Sequence, residues 1–299
     1  MGLMILMGFC IVKARILKSE QSTVLSALCM YLICPCTVIS AFQVEYTPDK
    51  MQGLLIATVA AIILHIIFIV LTWLLNKRWA MAPAERASLI YSNGANLIIP
   101  LVSALLGSEN VFYTSAFIAI QLIYLWTHGF SLMSKSDGIP WKKILLNPNM
   151  LAIVAGVILF IFRIQLPSLL QDTITNVGNI IGPVCMFMIG MVMGGVNFRQ
   201  VFSKARLYLI CAGRLLVYPL IIILCIRLTG ITRHWELAKD VLLITMLATC
   251  APVAVSITQF ANLFGTQEEA RDAGAINVMS VIFCIITMPA IIWVYQVIC

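Results

Sequence analysis

Ten apolar runs, separated by short polar loops, follow one another along the chain. They fall near 1–12, 22–42, 51–75, 88–107, 110–132, 149–163, 174–195, 206–228, 240–264 and 273–298. At about 1.5 Å per residue, runs of 20 residues or so cross the roughly 30 Å of bilayer hydrocarbon. Lipid offers no partner to a bare N–H or C=O, so each run must be a helix. The expected fold class is an all-α polytopic membrane protein with ten transmembrane helices. Composition agrees, with 62% hydrophobic and 10% charged residues. Soluble domains carry about 25% charged residues.

The first run, Met1–Val12, would reach only about 18 Å. Lys13 and Arg15 follow it, and no small-residue cleavage site is present. It reads as a first span shortened by a wrong start site rather than as a signal peptide.

The net charge of +7 comes from basic residues scattered singly or in small groups between the runs, which excludes a nucleic-acid patch. With the N-terminus outside, thirteen basic residues fall in cytoplasmic loops and five outside. The bias favours N-out and C-out in a plasma or inner membrane. Most of the ten cysteines lie inside apolar runs and read as small buried hydrophobes. Cys34-Pro35-Cys36 lacks zinc-knuckle spacing, and no metal ligand set is expected.

Five spans per half is an odd number, so two such halves lie in the membrane with opposite orientations. The expected domains are a first five-helix repeat at 1–132, a cytoplasmic linker at 133–148 and a second repeat at 149–299. Pro35 in span 2 matches Pro183 in span 7. SALLGSEN (103–110) ends span 4, and ANLFGTQE (261–268) ends span 9. Aligning Gly107 with Gly265 sets Gly94 opposite Pro252, so both fourth helices carry a breaker at one level. Matched breaks in an inverted repeat point to the binding site of a secondary transporter. Half-helix N-termini there carry partial positive charge and suit anions.

The segments SNGANLIIPLVSALLG and SAFIAIQLIYLWTHG resemble the fourth and fifth helices of the auxin efflux carrier family. GPVCMFMIGMVMG resembles its seventh, and ATCAPVAVSITQFANLFG and VMSVIFCIITMPAIIW its last two. The short 133–148 loop is similar to that of bacterial, malate- or malonate-permease-like members. The resemblance implies two inverted five-helix repeats in which helices 4 and 9 cross at their broken centres in a transport domain. It implies a scaffold of helices 1, 2, 6 and 7, an elevator-type motion and a small organic anion as cargo. It also implies a homodimer. The alternative is a sodium-coupled symporter of the bile-acid type with the same two-crossover plan.

The candidate substrate-binding residues are Asn93, Gly94, Asn96 and Pro100 at the first break. Cys250, Pro252, Ser256 and Gln259 stand at the second, with Gln121 in span 5 and Asn277 in span 10 expected to face the same cavity. Asn and Gln amides both donate and accept. Ala251 stands where many family members have a second proline. Arg214, the cation inside a span, is expected either to snorkel to the cytoplasmic surface or to aid anions entering from that side. No Asp or Glu lies mid-span, so a carboxylate proton relay is not expected, and His65 reads as packing. There is no HExxH, GxSxG or intramembrane carboxylate pair, so no enzyme is expected. No cofactor is expected, and the coupling ion, sodium or a proton, stays open.

Overall fold

The computed structural model describes residues 2–93, 97–134, 140–195, 204–234 and 236–299. Among them the secondary structure is helical, apart from one isolated antiparallel bridge. In chain order the α-helices are α1 Gly2–Lys13, α2 Ser22–Leu28, α3 Cys34–Ala41, α4 Pro48–Trp79, α5 Pro83–Ile90 and α6 Ile99–Leu106. Then come α7 Val111–Tyr124, α8 Phe130–Ser134, α9 Trp141–Leu145, α10 Pro148–Ile161, α11 Ser168–Asn179 and α12 Ile181–Gly195. The last are α13 Ala205–Ala212, α14 Tyr218–Thr229, α15 Ile231–His234, α16 Glu236–Thr249, α17 Val255–Phe264 and α18 Gln267–Ile298. Single π-helical turns at Cys29–Ile33, Leu125–Gly129 and Gly213–Val217 join α2 to α3, α7 to α8 and α13 to α14.

Among the described residues six continuous stretches are long and apolar enough to cross a membrane. They are Ser19–Ala41, Pro48–Trp79, Val111–Ser134, Ser168–Gly195, Ala205–Thr229 and Gln267–Ile298. Leu3–Lys13 and Pro148–Ile161 are shorter apolar helices. The chain is a multi-pass membrane protein by this pattern, and α4 shows why. Leu55, Val59, Ile63, Ile66, Val70 and Trp73 form an exposed apolar stripe at steps of three and four residues. The opposite face buries Gly53, Ala57, Ala61, Leu64, His65, Phe68 and Thr72. The small and polar residues of this helix share the inward face with Leu64 and Phe68, while the outward face is wholly apolar, as in a helix that meets lipid rather than water.

The two runs expected as spans 4 and 9 are each broken in two. The fourth starts at Pro83, earlier than the apolar run suggests, because Pro83 stands in its first turn and Glu85 Oε2 accepts the Ala82 N–H at 2.8 Å. It stops as a helix at Ile90, and Tyr91 is extended. The ninth stops at Thr249 and restarts at Val255 from an extended Ala254. Gly107, with φ +95°, closes α6, a conformation that suits glycine. Its sequence partner Gly265 closes α17 in an ordinary extended conformation.

The chain forms two compact units that cut across the sequence halves. One comprises Met1–Gln52, Ala95–Ser115 and Lys142–Asn197. In it α1 packs directly on α12, where Gly8, Gly190 and Gly194 leave no room for a Cβ against the facing helix. A ring cluster of Phe42, Phe112 and Phe160 fills the space beneath α3 and α10, with Phe42 and Phe112 centroids 4.9 Å apart. The second unit comprises Gly53–Gly94, Ala116–Trp141 and Phe198–Cys299. The first unit takes in α6, whereas the resemblance assigns the whole of helix 4 to a transport domain.

Candidate functional site

In the second unit the two breaks meet. Ser92 and Val253 form the antiparallel bridge. The Asn93 N–H donates to the Pro252 carbonyl at 2.7 Å, and the Ala254 N–H donates to the Tyr91 carbonyl at 3.1 Å. These bonds flank the bridge, so the backbone groups of Ser92 and Val253 themselves point away from it. Each must find a partner elsewhere, because neither residue is more than 1% exposed.

Side chains from the following spans supply those partners. The Gln121 amide oxygen accepts from Ser92 Oγ at 2.6 Å and, more weakly, from Ser92 N at 3.4 Å; its Nε2 donates to the Ser92 carbonyl at 2.8 Å. On the other side Ser280 Oγ accepts the Val253 N–H at 3.0 Å, and Asn277 Nδ2 donates to the Val253 carbonyl at 2.8 Å. The two extended segments of the bridge are thus completed on their outer sides by amide and hydroxyl side chains. Gln121 and Asn277 hold the crossover backbone.

Arg214 does not snorkel. Its residue is 1% exposed, its Nη1 donates to the Leu89 and Ile90 carbonyls at 3.3 and 3.5 Å, and its guanidinium lies 5.6 Å from the Phe68 ring centroid. The reason is local. The break leaves the last carbonyls of α5 without helical partners, and a cation at the negative end of a helix dipole is favoured there. The matching end of α16 closes on itself, through Thr249 Oγ1 donating to the Met246 carbonyl at 2.7 Å. Cys250 is buried, and its carbonyl accepts from Cys284 Sγ at 3.5 Å.

The opposite ends are more open. α17 begins at Val255, and among the described residues no hydrogen bond engages the Val255 and Ser256 N–H groups. Ser256 is half-buried and Gln259 exposed on this helix, while Pro252 is buried in the bridge. The Asn93 side chain is half-buried, with no hydrogen bond to it among the described residues. Gly94 and Asn96 lie outside the described residues. Pro100 is buried in the first unit, where it lines a cavity of about 380 Å³ with Thr37, Ser40, Ser103 and Thr175. The structure therefore gathers Asn93, Pro252, Gln121 and Asn277 around one bridge, places Ser256 and Gln259 on the helix leaving it, and puts Pro100 with the first unit.

Sequence reasoning missed Ser92, Ser280 and Tyr91. Ser280 had a signal, since it lies three residues after Asn277 and so shares its helix face. It also missed the polar corner at the start of helix 4. Arg206 Nε and Nη2 bind the Glu85 carboxylate at 2.5 and 2.8 Å, and Nη2 also donates to the Ala80 carbonyl at 3.1 Å. Nearby, Lys204 Nζ lies 2.8 Å from both Glu268 and Asp272 in the first turns of α18.

A many-helix apolar chain whose interrupted helices pair backbone to backbone is, in class, a membrane transport protein. The model of the family described as Membrane transport protein matches residues 2–139 and 136–292, and the chain belongs to this auxin efflux carrier-type family. Members are transporters rather than enzymes. No curated protein matches the chain.

Proposed function

We propose that the protein is a secondary carrier for a small organic anion, held where helices 4 and 9 cross. The observation that carries this reading is the reciprocal pairing of Tyr91–Asn93 with Pro252–Ala254. It keeps two helix breaks rigid inside a membrane protein while, among the described residues, no hydrogen bond engages the Asn93 side-chain amide or the first N–H groups of α17. A carboxylate there would accept from the helix N-terminus and from Asn93 Nδ2, both of which favour negative charge or a good acceptor. On this reading ten spans form two inverted repeats, N-out and C-out in the cell membrane.

The cargo class is a small carboxylate such as malate or malonate, or an auxin-like acid. The sodium-coupled plan is the weaker one. A sodium site at the first break would need the free carbonyls of Leu89 and Ile90, and Arg214 already occupies them. The test is uptake of labelled malate, malonate and indole-3-acetate by purified protein in liposomes, with and without sodium. Saturable uptake of one acid is expected without sodium. No uptake of any acid by folded protein, or unitary channel currents, would overturn the reading.

A further inference from the structure

A groove of about 400 Å³ runs between α4, α14 and α16, and its lining residues all belong to the second unit. It is the wedge left where α4 and α14 part. The two helices meet at Tyr218, whose ring centroid lies 4.8 Å from that of Phe68 and whose Oη lies 2.8 Å from Thr72 Oγ1. From Leu55 to Ile67 one face of α4 lines the groove instead. That stretch rises about 18 Å. One leaflet holds about 15 Å of hydrocarbon, half of the bilayer's roughly 30 Å.

The groove has a lipid-facing rim and a buried floor. Leu55, Val59 and Ile63 on the rim belong to the exposed stripe of α4, and Leu64, Ile222 and Met246 on the floor are buried. Its two hydroxyls are engaged within their own helices. Thr229 Oγ1 donates to the Ile226 carbonyl at 2.7 Å, and Thr245 Oγ1 to the Val241 carbonyl at 3.2 Å. The lining side chains therefore offer a ligand little besides apolar contact. A hydrocarbon chain gains dispersion contacts from both walls and the floor, more than a single helix face gives it. The two ends differ. α14 runs from Tyr218 to Thr229, so Thr229 lies at the Leu55 end, toward the membrane surface. Arg227 in the last turn of α14 and Lys239 in the first turn of α16 stand at that end, and Lys239 precedes Leu242 by three residues on one face. Among the described residues neither pairs with a carboxylate. At the deep end Met246 belongs to the last turns of α16, where its carbonyl accepts from Thr249 Oγ1 just before the break.

We propose that this groove is a binding site for one phospholipid, its acyl chain between α4, α14 and α16 and its phosphate at Arg227 and Lys239. The chain lies against Leu64, Ile222 and Met246, and the two cations meet the headgroup at the membrane surface. By packing on Met246 the lipid braces the half-helix that leads into the crossover. A second copy of the chain would cover the same apolar rim, but it gives the two cations no counter-charge, whereas a lipid phosphate does. The site does not depend on what the protein carries.

The test places the full-length protein in nanodiscs of phosphatidylglycerol that carries a diazirine in its acyl chain. After photolysis, mass spectrometry maps the cross-links. They are expected to concentrate on 55–67, 222–231 and 242–246, several-fold above the exposed face of α10 at Leu151, Val154 and Ile158. Native mass spectrometry after exchange into detergent should show one retained phosphatidylglycerol. Ala60→Phe, which puts a ring into the groove, should lose it, and Val154→Phe on α10 should keep it. The double variant Arg227→Gln, Lys239→Gln should retain less of it than the wild type. Cross-links spread evenly over the lipid-facing helices overturn the proposal, as do cross-links from chain to chain across the groove. So does equal lipid retention in wild type and Ala60→Phe, and equal retention in the double variant overturns the placing of the phosphate. The wild-type map decides even if a variant fails to fold.

Discussion

Replacing Gln121 by Leu tests whether the crossover is held by side chains rather than by water. The substitution removes the acceptor of the Ser92 hydroxyl at 2.6 Å and the donor to the Ser92 carbonyl at 2.8 Å. Each buried group left unpaired costs about 1–3 kcal/mol, so two cost about 2–6 kcal/mol. Side-chain hydrogen bonds in membrane proteins average only about 0.6 kcal/mol when the freed groups find other partners. Burial decides between the two scales. Ser92 is 1% exposed and Gln121 8%, so replacement partners are scarce. The expected loss is about 3 kcal/mol, toward the orphaned-group scale. Equilibrium unfolding of the purified protein in denaturant, followed by tryptophan fluorescence, reads it. Asn262→Ala is the control, because Asn262 Nδ2 reaches the Thr258 carbonyl from an exposed position; it should stay within about 0.5 kcal/mol of wild type. If Gln121→Leu also stays within about 0.5 kcal/mol, the backbone at the break is solvated and the reasoning fails.

Other substitutions separate structure from transport. Arg214→Met should change unfolding stability by less than about 2 kcal/mol, because long hydrogen bonds are lost while a buried cation is no longer desolvated. It should cut carboxylate uptake by about tenfold or more, since the end of α5 loses its cap; unchanged uptake would mean that the cation serves packing alone. Gly190→Ala should destabilise the protein by about 1–3 kcal/mol, because the new Cβ meets the Ile5 carbonyl, which cannot yield. Gly274→Ala, with its nearest neighbour 3.8 Å away, should be tolerated in the same thermal-melt series. Arg206→Ala removes bonds to Glu85 and Ala80 from a half-exposed side chain and should cost about 1 kcal/mol in that assay.

Helix positions were legible because lipid leaves the backbone no other choice. That the two breaks meet was legible too: both segments carry a breaker at one distance before a Gly-ended helix, and the bridge pairs Ser92 with Val253 and Asn93 with Pro252. What the side chains do at the break was not legible. Sequence marks Gln121 and Asn277 as polar residues in apolar helices, which suits a ligand or a backbone partner equally. Only the register of the bridge, which turns Ser92 and Val253 outward, assigns them to the backbone. Arg214 misled for a similar reason. Snorkelling is the ordinary fate of a cation near a helix end, and the free carbonyls that hold it exist only because another helix stops at Ile90.

The central claim is that the anion sits at the crossover, and hydrogen exchange with and without a transported acid tests it most directly. Binding should slow exchange in 91–99 and 251–259, with Val255 and Ser256 foremost, and Asn93→Ala should reduce that protection and the uptake together. Protection confined to the first-unit cavity lined by Thr37, Ser40 and Thr175, with the crossover unchanged during active transport, would contradict the account.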